Sequence, residues 1–120
     1  MTISDTKIFT RQDLFDALIK NSGILILKLG ADWCGPCKKI EPQVNFYMSN
    51  MPANATCVMV NIDESTDLYS FFKVKKIVNG VPALLVYEKG NTNYIPNDVH
   101  IGSDSSRVQF FFEKCKKLCE

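Results

Sequence analysis

Residues 24–40 read ILILKLGADWCGPCKKI and join an apolar run to two closely spaced cysteines. Residues 24–29 are almost continuously apolar and mostly branched, which is typical of a strand covered on both faces, as in a parallel sheet. From Cys37 onward, apolar residues recur at helical spacing as far as Met51. The stretch therefore predicts a buried strand, a tight turn that carries the cysteines, and a helix that begins there.

The rest of the chain continues this alternation of helices and strands. Thr10 and Asp13, a hydroxyl and an acid three residues apart, predict the start of the first helix. Further strands are predicted at residues 56–62, 83–88 and 93–101, and further helices at residues 67–74 and after Asp104. Such alternation predicts an α/β fold, with a central mixed sheet of four to five strands flanked on both faces by about four helices. The last two strands predict an antiparallel edge.

Composition and charge exclude several classes of protein. The chain has 120 residues and a formal net charge of +1, so we expect one domain over residues 1–120, without the basic excess of nucleic-acid binders. No apolar run approaches the roughly 20 residues of a membrane helix. Residues 1–7 are polar, unlike a signal peptide, and the odd count of five cysteines favours a reducing compartment. We expect a cytoplasmic protein that binds neither nucleic acid nor membrane.

Cys34 and Cys37 carry the predicted chemistry. Two cysteines three residues apart at a helix start have Cα atoms about 5–6 Å apart, within disulfide range. Free backbone N–H groups and the helix dipole stabilise a thiolate there, and a thiolate is the species that attacks a disulfide. We predict that Cys34 is exposed and acts as the nucleophile, and that the partly shielded Cys37 resolves the mixed disulfide. Pro36 costs no helical hydrogen bond and stiffens the loop.

A Cys-x-x-Cys pair can also be half of a zinc site, which needs four ligands. The remaining candidates do not form a second half, because the single histidine is His100 and Cys57 stands alone in a predicted strand. Cys115 and Cys119 lie one turn apart on the last predicted helix. We interpret these three cysteines as small buried apolar residues, with Cys119 the most exposed. We predict no metal site and no cofactor.

The motif WCGPCK at residues 33–38 resembles the redox motif of the thioredoxin family. The similarity extends over residues 8–118. Asn61-Ile62-Asp63 resembles the end of the family's third strand, Val81-Pro82 its cis-proline segment, and Gly102 the glycine before its last helix. The resemblance implies a thioredoxin fold and an enzyme that reduces protein disulfides, with a mixed-disulfide intermediate.

The resemblance also implies a substrate face and partners. Pro82 would be cis and would lie against the active-site disulfide. The flat apolar face for a protein substrate would consist of Trp33, Gly35, Pro36, Val81, Pro82 and Gly102. An extended peptide could pair with the backbone beside the cis-proline. The implied partners are disulfide-containing proteins and an electron donor of the thioredoxin-reductase type, with the protein acting as a monomer.

Lys28 departs from the family, which usually has a buried aspartate six residues before the first cysteine. An unpaired ammonium in a buried strand is costly, and Glu41 lies on the helical face of Cys37. We therefore predict a reversed ion pair between Lys28 and Glu41 beneath Cys37, with Glu41 accepting the proton of Cys37, directly or through a water. Both residues join the two cysteines as candidate catalytic residues. The alternative is that Lys28 snorkels at the edge of the sheet.

Two further functions stay open at this point. The protein could be a binding module whose thiols are idle, because Lys28 could impair proton handling. It could also be a disulfide oxidase or isomerase, which differs from a reductase in its redox potential. The intact WCGPCK motif favours catalysis over docking. If Glu41 neutralises Lys28, we expect a potential near or modestly above the value of thioredoxin, about −270 mV.

Overall fold

The computed structural model describes residues 3–120 and contains the predicted helices and strands. In chain order the elements are α1 (Arg11–Lys20), β1 (Ile24–Gly30), α2 (Gly35–Ser49), β2 (Ala55–Asn61), α3 (Thr66–Val74), β3 (Ala83–Glu88), β4 (Asp98–Ile101) and α4 (Ser105–Leu118). The predicted fold class is confirmed, with four strands in a mixed sheet and four helices within the described residues. None of these helices combines the length and apolar character needed to cross a bilayer.

The sheet has the strand order β2-β1-β3-β4 and places β1 in its interior. β1 runs parallel to β2, and β3 is antiparallel to both β1 and β4, so the predicted antiparallel edge is confirmed. All seven residues of β1 are buried, which explains the continuous apolar run. The carboxyl ends of the parallel pair β1 and β2 lie side by side, and the cysteine turn leaves the sheet there.

β4 is shorter than the strand predicted for residues 93–101. It begins later in the chain because asparagine side chains fold the preceding residues into local turns. The Asn91 side chain accepts a hydrogen bond from the backbone N–H of Asn93, and the Asn93 side chain accepts one from Ile95, both at 2.9 Å. Asn97 accepts one from the backbone N–H of Glu88 at 2.8 Å. These backbone groups are therefore paired without extending the ladder.

The side chains of β1 alternate between two apolar cores. Leu25, Leu27 and Leu29 pack in the core formed with α1 and α3. Ile24 and Ile26 pack in the core formed with α2 and α4. Because side chains alternate along a strand, residue 28 is the next position on the α2 side. The sequence places a lysine there, in the middle of the molecule.

Two helices begin at predicted side-chain caps. The Thr10 hydroxyl accepts a hydrogen bond from the backbone N–H of Asp13 at 3.1 Å, and the Asp13 carboxylate accepts one from the N–H of Thr10 at 3.1 Å. Asp104 accepts hydrogen bonds from the backbone N–H groups of Ser106 and Arg107 at the start of α4. Both caps pair N–H groups that a helix start leaves without partners.

Lys76, just after α3, has a φ of 60°. Left-handed backbone costs a non-glycine residue roughly 1–2 kcal/mol, whereas glycine loses about 0.4–1 kcal/mol through its freedom in the unfolded chain. We expect Lys76→Gly to raise the free energy of unfolding by up to about 1 kcal/mol, measured by urea denaturation. Lys75, with a φ of −79°, is the control. Lys75→Gly should lower the free energy of unfolding, and equal effects of the two changes would contradict the role of φ.

Candidate active site

The two cysteines of the motif lie at the start of α2, shortly after the end of β1. Cys34 is the N-cap residue of α2 and Pro36 lies in its first turn, as predicted. Cys34 and Cys37 form a disulfide, with their Cα atoms 5.2 Å apart. The Sγ atom of Cys34 also accepts a hydrogen bond of 3.1 Å from the backbone N–H of Cys37. The spacing therefore does bring the two sulfurs into bonding range.

Both cysteines are buried in this disulfide form, with 4% of Cys34 and 3% of Cys37 exposed. The prediction that Cys34 is exposed is wrong for this form. Its side chain turns inward to reach Cys37, and its Sγ atom lies 3.8 Å from the carbonyl oxygen of Val81. A partner must therefore approach over the exposed neighbours of the disulfide, which are Trp33, Gly35 and Pro36.

The segment before β3 closes one side of the disulfide. The peptide bond between Val81 and Pro82 is cis, as the family resemblance implies. Pro82 is buried and Val81 half-buried, so the chain passes beneath the surface here. The backbone N–H of Gly102 donates to the carbonyl oxygen of Pro82 at 2.9 Å, and Gly102 has a φ of 120°. Gly102 is therefore tied to the segment beside the disulfide.

Trp33 forms an exposed wall beside the disulfide, with 68% of its surface accessible. Its Nε1–H group donates a hydrogen bond of 3.0 Å to the carboxylate of Asp63. Asp63 belongs to the Asn61-Ile62-Asp63 segment, but sequence reasoning missed its place in the site. Its position after β2 was the available signal, because the ends of adjacent parallel strands meet at one edge of the sheet. Asp63 fixes the orientation of an otherwise free indole ring.

A cleft of about 260 Å³ lies beneath the buried sulfur. Lys28, Gly30, Cys37 and Glu41 are among the residues that line it. A Cβ atom placed on Gly30 would lie 3.2 Å from Nζ of Lys28 and 3.5 Å from Sγ of Cys37. The ammonium and the sulfur are therefore neighbours across the bare side of Gly30. Sequence reasoning missed Gly30, whose signal was its position two residues after Lys28 on the same face.

The predicted ion pair between Lys28 and Glu41 is not formed. Among residues 3–120, the ion pairs within 4.0 Å are Arg11–Asp67 and Lys114–Asp98. Burial lowers the pKa of Lys28, and the more distant negative charge of Glu41 partly offsets this. Snorkelling at the sheet edge is also wrong, because β1 is an inner strand and only 8% of Lys28 is exposed. The lysine head lies at the cleft instead.

The other three cysteines lie away from the disulfide and are free. Cys57 and Cys115 are buried, as predicted, and Cys119 is half-buried. Burial raises the pKa of Cys57 to about 12 and also raises the pKa of Cys115 and Cys119. Over residues 3–120, no three His, Cys, Asp or Glu side chains are grouped as metal ligands are.

Comparison with known proteins agrees with this geometry. The family model described as thioredoxin matches residues 6–112. Thioredoxin 1 of Plasmodium falciparum is 31% identical over 108 residues, which cover 90% of this chain and 95% of that protein. Thioredoxin 1 of Chlorobaculum tepidum is 34% identical over 80 residues, covering 66% of this chain and 75% of that protein.

Solved structures show the same fold. Trichomonas vaginalis thioredoxin superposes with a TM-score of 0.73 at 23% identity, covering 92% of this chain and 98% of that one. Fasciola hepatica thioredoxin superposes with a TM-score of 0.73 at 20% identity, covering 97% of this chain and 100% of that one. The matched family model and a relative of nearly equal length agree with a Cys34–Cys37 disulfide that lies against a cis-proline segment. This chain therefore belongs to the thioredoxin family, and its paired cysteines make it a thiol–disulfide oxidoreductase.

Proposed function

We propose that the protein reduces disulfides in other proteins. The observation that carries this proposal is the Cys34–Cys37 disulfide at the N-terminus of α2, beside the backbone of Val81. The helix start favours the thiolate form of Cys34 after reduction, because its N–H groups and dipole stabilise negative charge. The second sulfur is already within bonding distance. A dithiol of this kind can complete two displacements without leaving its substrate.

The proposed cycle consists of two thiol–disulfide exchanges. The Cys34 thiolate attacks one sulfur of the substrate disulfide, which forms a mixed disulfide and releases the other substrate sulfur as a thiolate. The Cys37 thiolate then attacks Sγ of Cys34. This step forms the Cys34–Cys37 bond, breaks the mixed disulfide and releases the second substrate thiolate. Both released thiolates take protons from water, so the substrate gains two electrons and the enzyme loses two.

The surface around the disulfide suits an extended polypeptide. Trp33, Gly35 and Pro36 are exposed, while Val81 and Gly102 are half-buried beside them. A substrate strand that lies along residues 81–82 can pair with backbone groups while its disulfide faces Cys34. Pro82 is buried and therefore does not contact the substrate directly. It holds the carbonyl group of Val81 near Sγ of Cys34.

Turnover requires a donor that returns two electrons to the disulfide. We propose a dithiol donor of the thioredoxin-reductase type, acting on a monomer in the cytoplasm. Such a donor would use the approach over Trp33 and Pro36, because its dithiol must reach the same buried sulfur. Electron transfer would thus run from donor to Cys34–Cys37 and on to the protein substrate.

The direct test is reduction of insulin disulfides, with dithiothreitol as the electron donor. The intact protein should accelerate the reaction, and Cys34→Ser should reduce it to the uncatalysed rate, because no other thiol among residues 3–120 lies at a helix start. Cys119→Ser is the matched control and should keep full activity. If the intact protein shows no acceleration, it is a binding module whose thiols are idle.

One observation favours a second candidate, a disulfide oxidase or isomerase. The Lys28 ammonium lies beside Cys37, and a cation near the thiols stabilises the reduced form. A protein with a stabilised dithiol accepts electrons more readily than it gives them. Equilibration with glutathione distinguishes the candidates, because a potential near that of protein disulfide isomerase, about −180 mV, would favour oxidation.

A further inference from the structure

Lys28 lies on a face of β1 that is otherwise apolar. Ile24 and Ile26 precede it on the same face of β1, and both pack beneath α2 and α4. The neighbouring strands continue this pattern, because Lys28 pairs with Met59 on β2 and with Leu84 on β3. A lysine at such a position costs stability unless its charge has a function or a partner.

The Lys28 ammonium and the Cys37 sulfur both lie beside Gly30. Gly30 has no side chain between them: a Cβ atom there would lie in ordinary contact with Sγ of Cys37, at 3.5 Å, and tightly against Nζ of Lys28, at 3.2 Å. An added Cβ atom at position 30 would require the lysine head to move by a few tenths of an ångström. The cleft of about 260 Å³ on this side is larger than the roughly 30 Å³ that one water occupies in the liquid. It therefore offers a route for the proton that Cys37 loses.

No carboxylate within 4.0 Å neutralises Lys28 in the described part of the chain. Besides Lys28, the charged residues that line the cleft are Lys7, Asp32, Lys38, Glu41 and Glu64, and all five are exposed. His100 lies two strands away on the same face of the sheet. Water screens the exposed charges, whereas Lys28 and Cys37 share a buried site of lower dielectric. The group best placed to carry the compensating negative charge is the sulfur of Cys37.

We propose that the Lys28 ammonium, which shares with Sγ of Cys37 the space beside Gly30, keeps Cys37 as a thiolate once the disulfide is reduced. Lys28 is thus a positioning residue for the resolving step. The thiol proton of Cys37 leaves through the cleft to solvent, and the thiolate stays paired with the ammonium. The inference rests on the proposed function only in giving Cys37 the resolving role.

The consequence for turnover is a resolving sulfur that needs no separate base. The mixed disulfide on Cys34 is then attacked by a ready thiolate, so its lifetime depends little on pH near neutrality. The same ion pair stabilises the reduced protein and shifts its equilibrium with glutathione toward the dithiol. This role is opposite in charge to that of a carboxylate base, and it assigns no proton transfer to Glu41.

The test measures the ionisation of Cys37 in a Cys34→Ala background, by ultraviolet absorbance of the thiolate against pH. The Cys34→Ala/Cys37→Ala protein supplies the baseline, and Cys57 stays silent because its pKa is about 12. Adding Lys28→Met should leave about tenfold less thiolate at neutral pH, the scale of a neighbouring opposite charge. In the otherwise intact chain, Lys28→Met should lower the equilibrium constant for reduction by glutathione about tenfold, or about 30 mV.

Two matched variants complete the test. Lys39→Met removes the same charge from an exposed position on α2 and should change neither quantity. Glu41→Gln removes a negative charge from the cleft and should increase the thiolate fraction. The proposal is overturned if Lys28→Met leaves the thiolate fraction of Cys37 unchanged. It is also overturned if Lys39→Met changes that fraction as much as Lys28→Met does. A decrease in Glu41→Gln also contradicts it and makes Glu41 the proton acceptor.

The folding of the variant and the proposed function are checked separately. Lys28→Met should be at least as resistant to urea as the natural chain, because an apolar side chain suits this buried position. The titration uses neither a substrate nor an electron donor. A shifted titration together with inactive protein in the insulin assay would therefore reject the reductase function and keep the role of Lys28.

Discussion

Cys37→Ser is expected to arrest the protein as a covalent complex with its substrate. Cys34 keeps its place at the helix start and can still attack, so the first exchange proceeds. A serine hydroxyl cannot displace the substrate sulfur, and no other thiol replaces Cys37, whose Cα lies 5.2 Å from that of Cys34. Steady-state reduction should fall on the order of a thousandfold or more, the scale for losing one member of a covalent catalytic unit.

Non-reducing electrophoresis and mass spectrometry of the Cys37→Ser protein, mixed with an oxidised substrate protein, measure this arrest. The adduct should be linked through Cys34 and should disappear with dithiothreitol. The double variant Cys34→Ser/Cys37→Ser is the control and should form none. A linkage through Cys119 instead would show that the accessible thiol lies outside the motif and would reject Cys34 as the nucleophile.

The second large effect concerns the core beneath α4. Phe112 is fully buried and stacks on Tyr47 of α2, with ring centroids 5.1 Å apart and an interplanar angle of 12°. It also meets the ring of Phe111 edge-on at 5.5 Å. Phe112→Ala leaves a cavity between the two helices and the sheet. We expect it to lower the free energy of unfolding by about 3–5 kcal/mol, measured by urea denaturation of the oxidised protein.

Phe110 provides a matched control on the same helix. It is 59% exposed, and its ring contacts the side chain of Lys114, with Nζ 4.7 Å from the ring centroid. Phe110→Ala makes the same chemical change without opening a cavity, so it should cost less than about 1 kcal/mol. Similar losses for the two variants would show that α4 is not held by the buried face that the structure assigns to it.

The fold was predictable because its main signals are local and strong. β1 is apolar except at Lys28 because it is an inner strand, and periodic apolar residues marked the helices on either side. The caps at Thr10 and Asp104 were readable for the same reason, since each depends on side chains within a few residues. β4 was overestimated because its asparagine turns depend on which backbone groups find partners, which composition alone does not reveal.

The site was predictable in its members but not in its distances. A spacing of four residues places Cys37 and Glu41 on one face of a helix, but it cannot say how far Glu41 stands from a lysine on another element. The prediction of an ion pair between Lys28 and Glu41 was wrong for this reason. The prediction that Cys34 is exposed was wrong because disulfide formation turns its sulfur toward Cys37 and beneath Val81. Both contacts depend on tertiary structure. Gly30 was missed because its contribution is the lack of a side chain, which leaves space for the lysine head and the Cys37 sulfur.

The burial of Cys57 and Cys115 has a consequence for the fidelity of the redox cycle. A fully reduced chain contains five sulfurs, and random oxidation could join them in several wrong combinations. Cys57 and Cys115 are enclosed and hold their protons at physiological pH, so they are poor participants in exchange. Repeated oxidation and reduction should therefore leave Cys57 and Cys115 as free thiols, and mispaired isomers that contain them should form only when α4 comes away from the sheet.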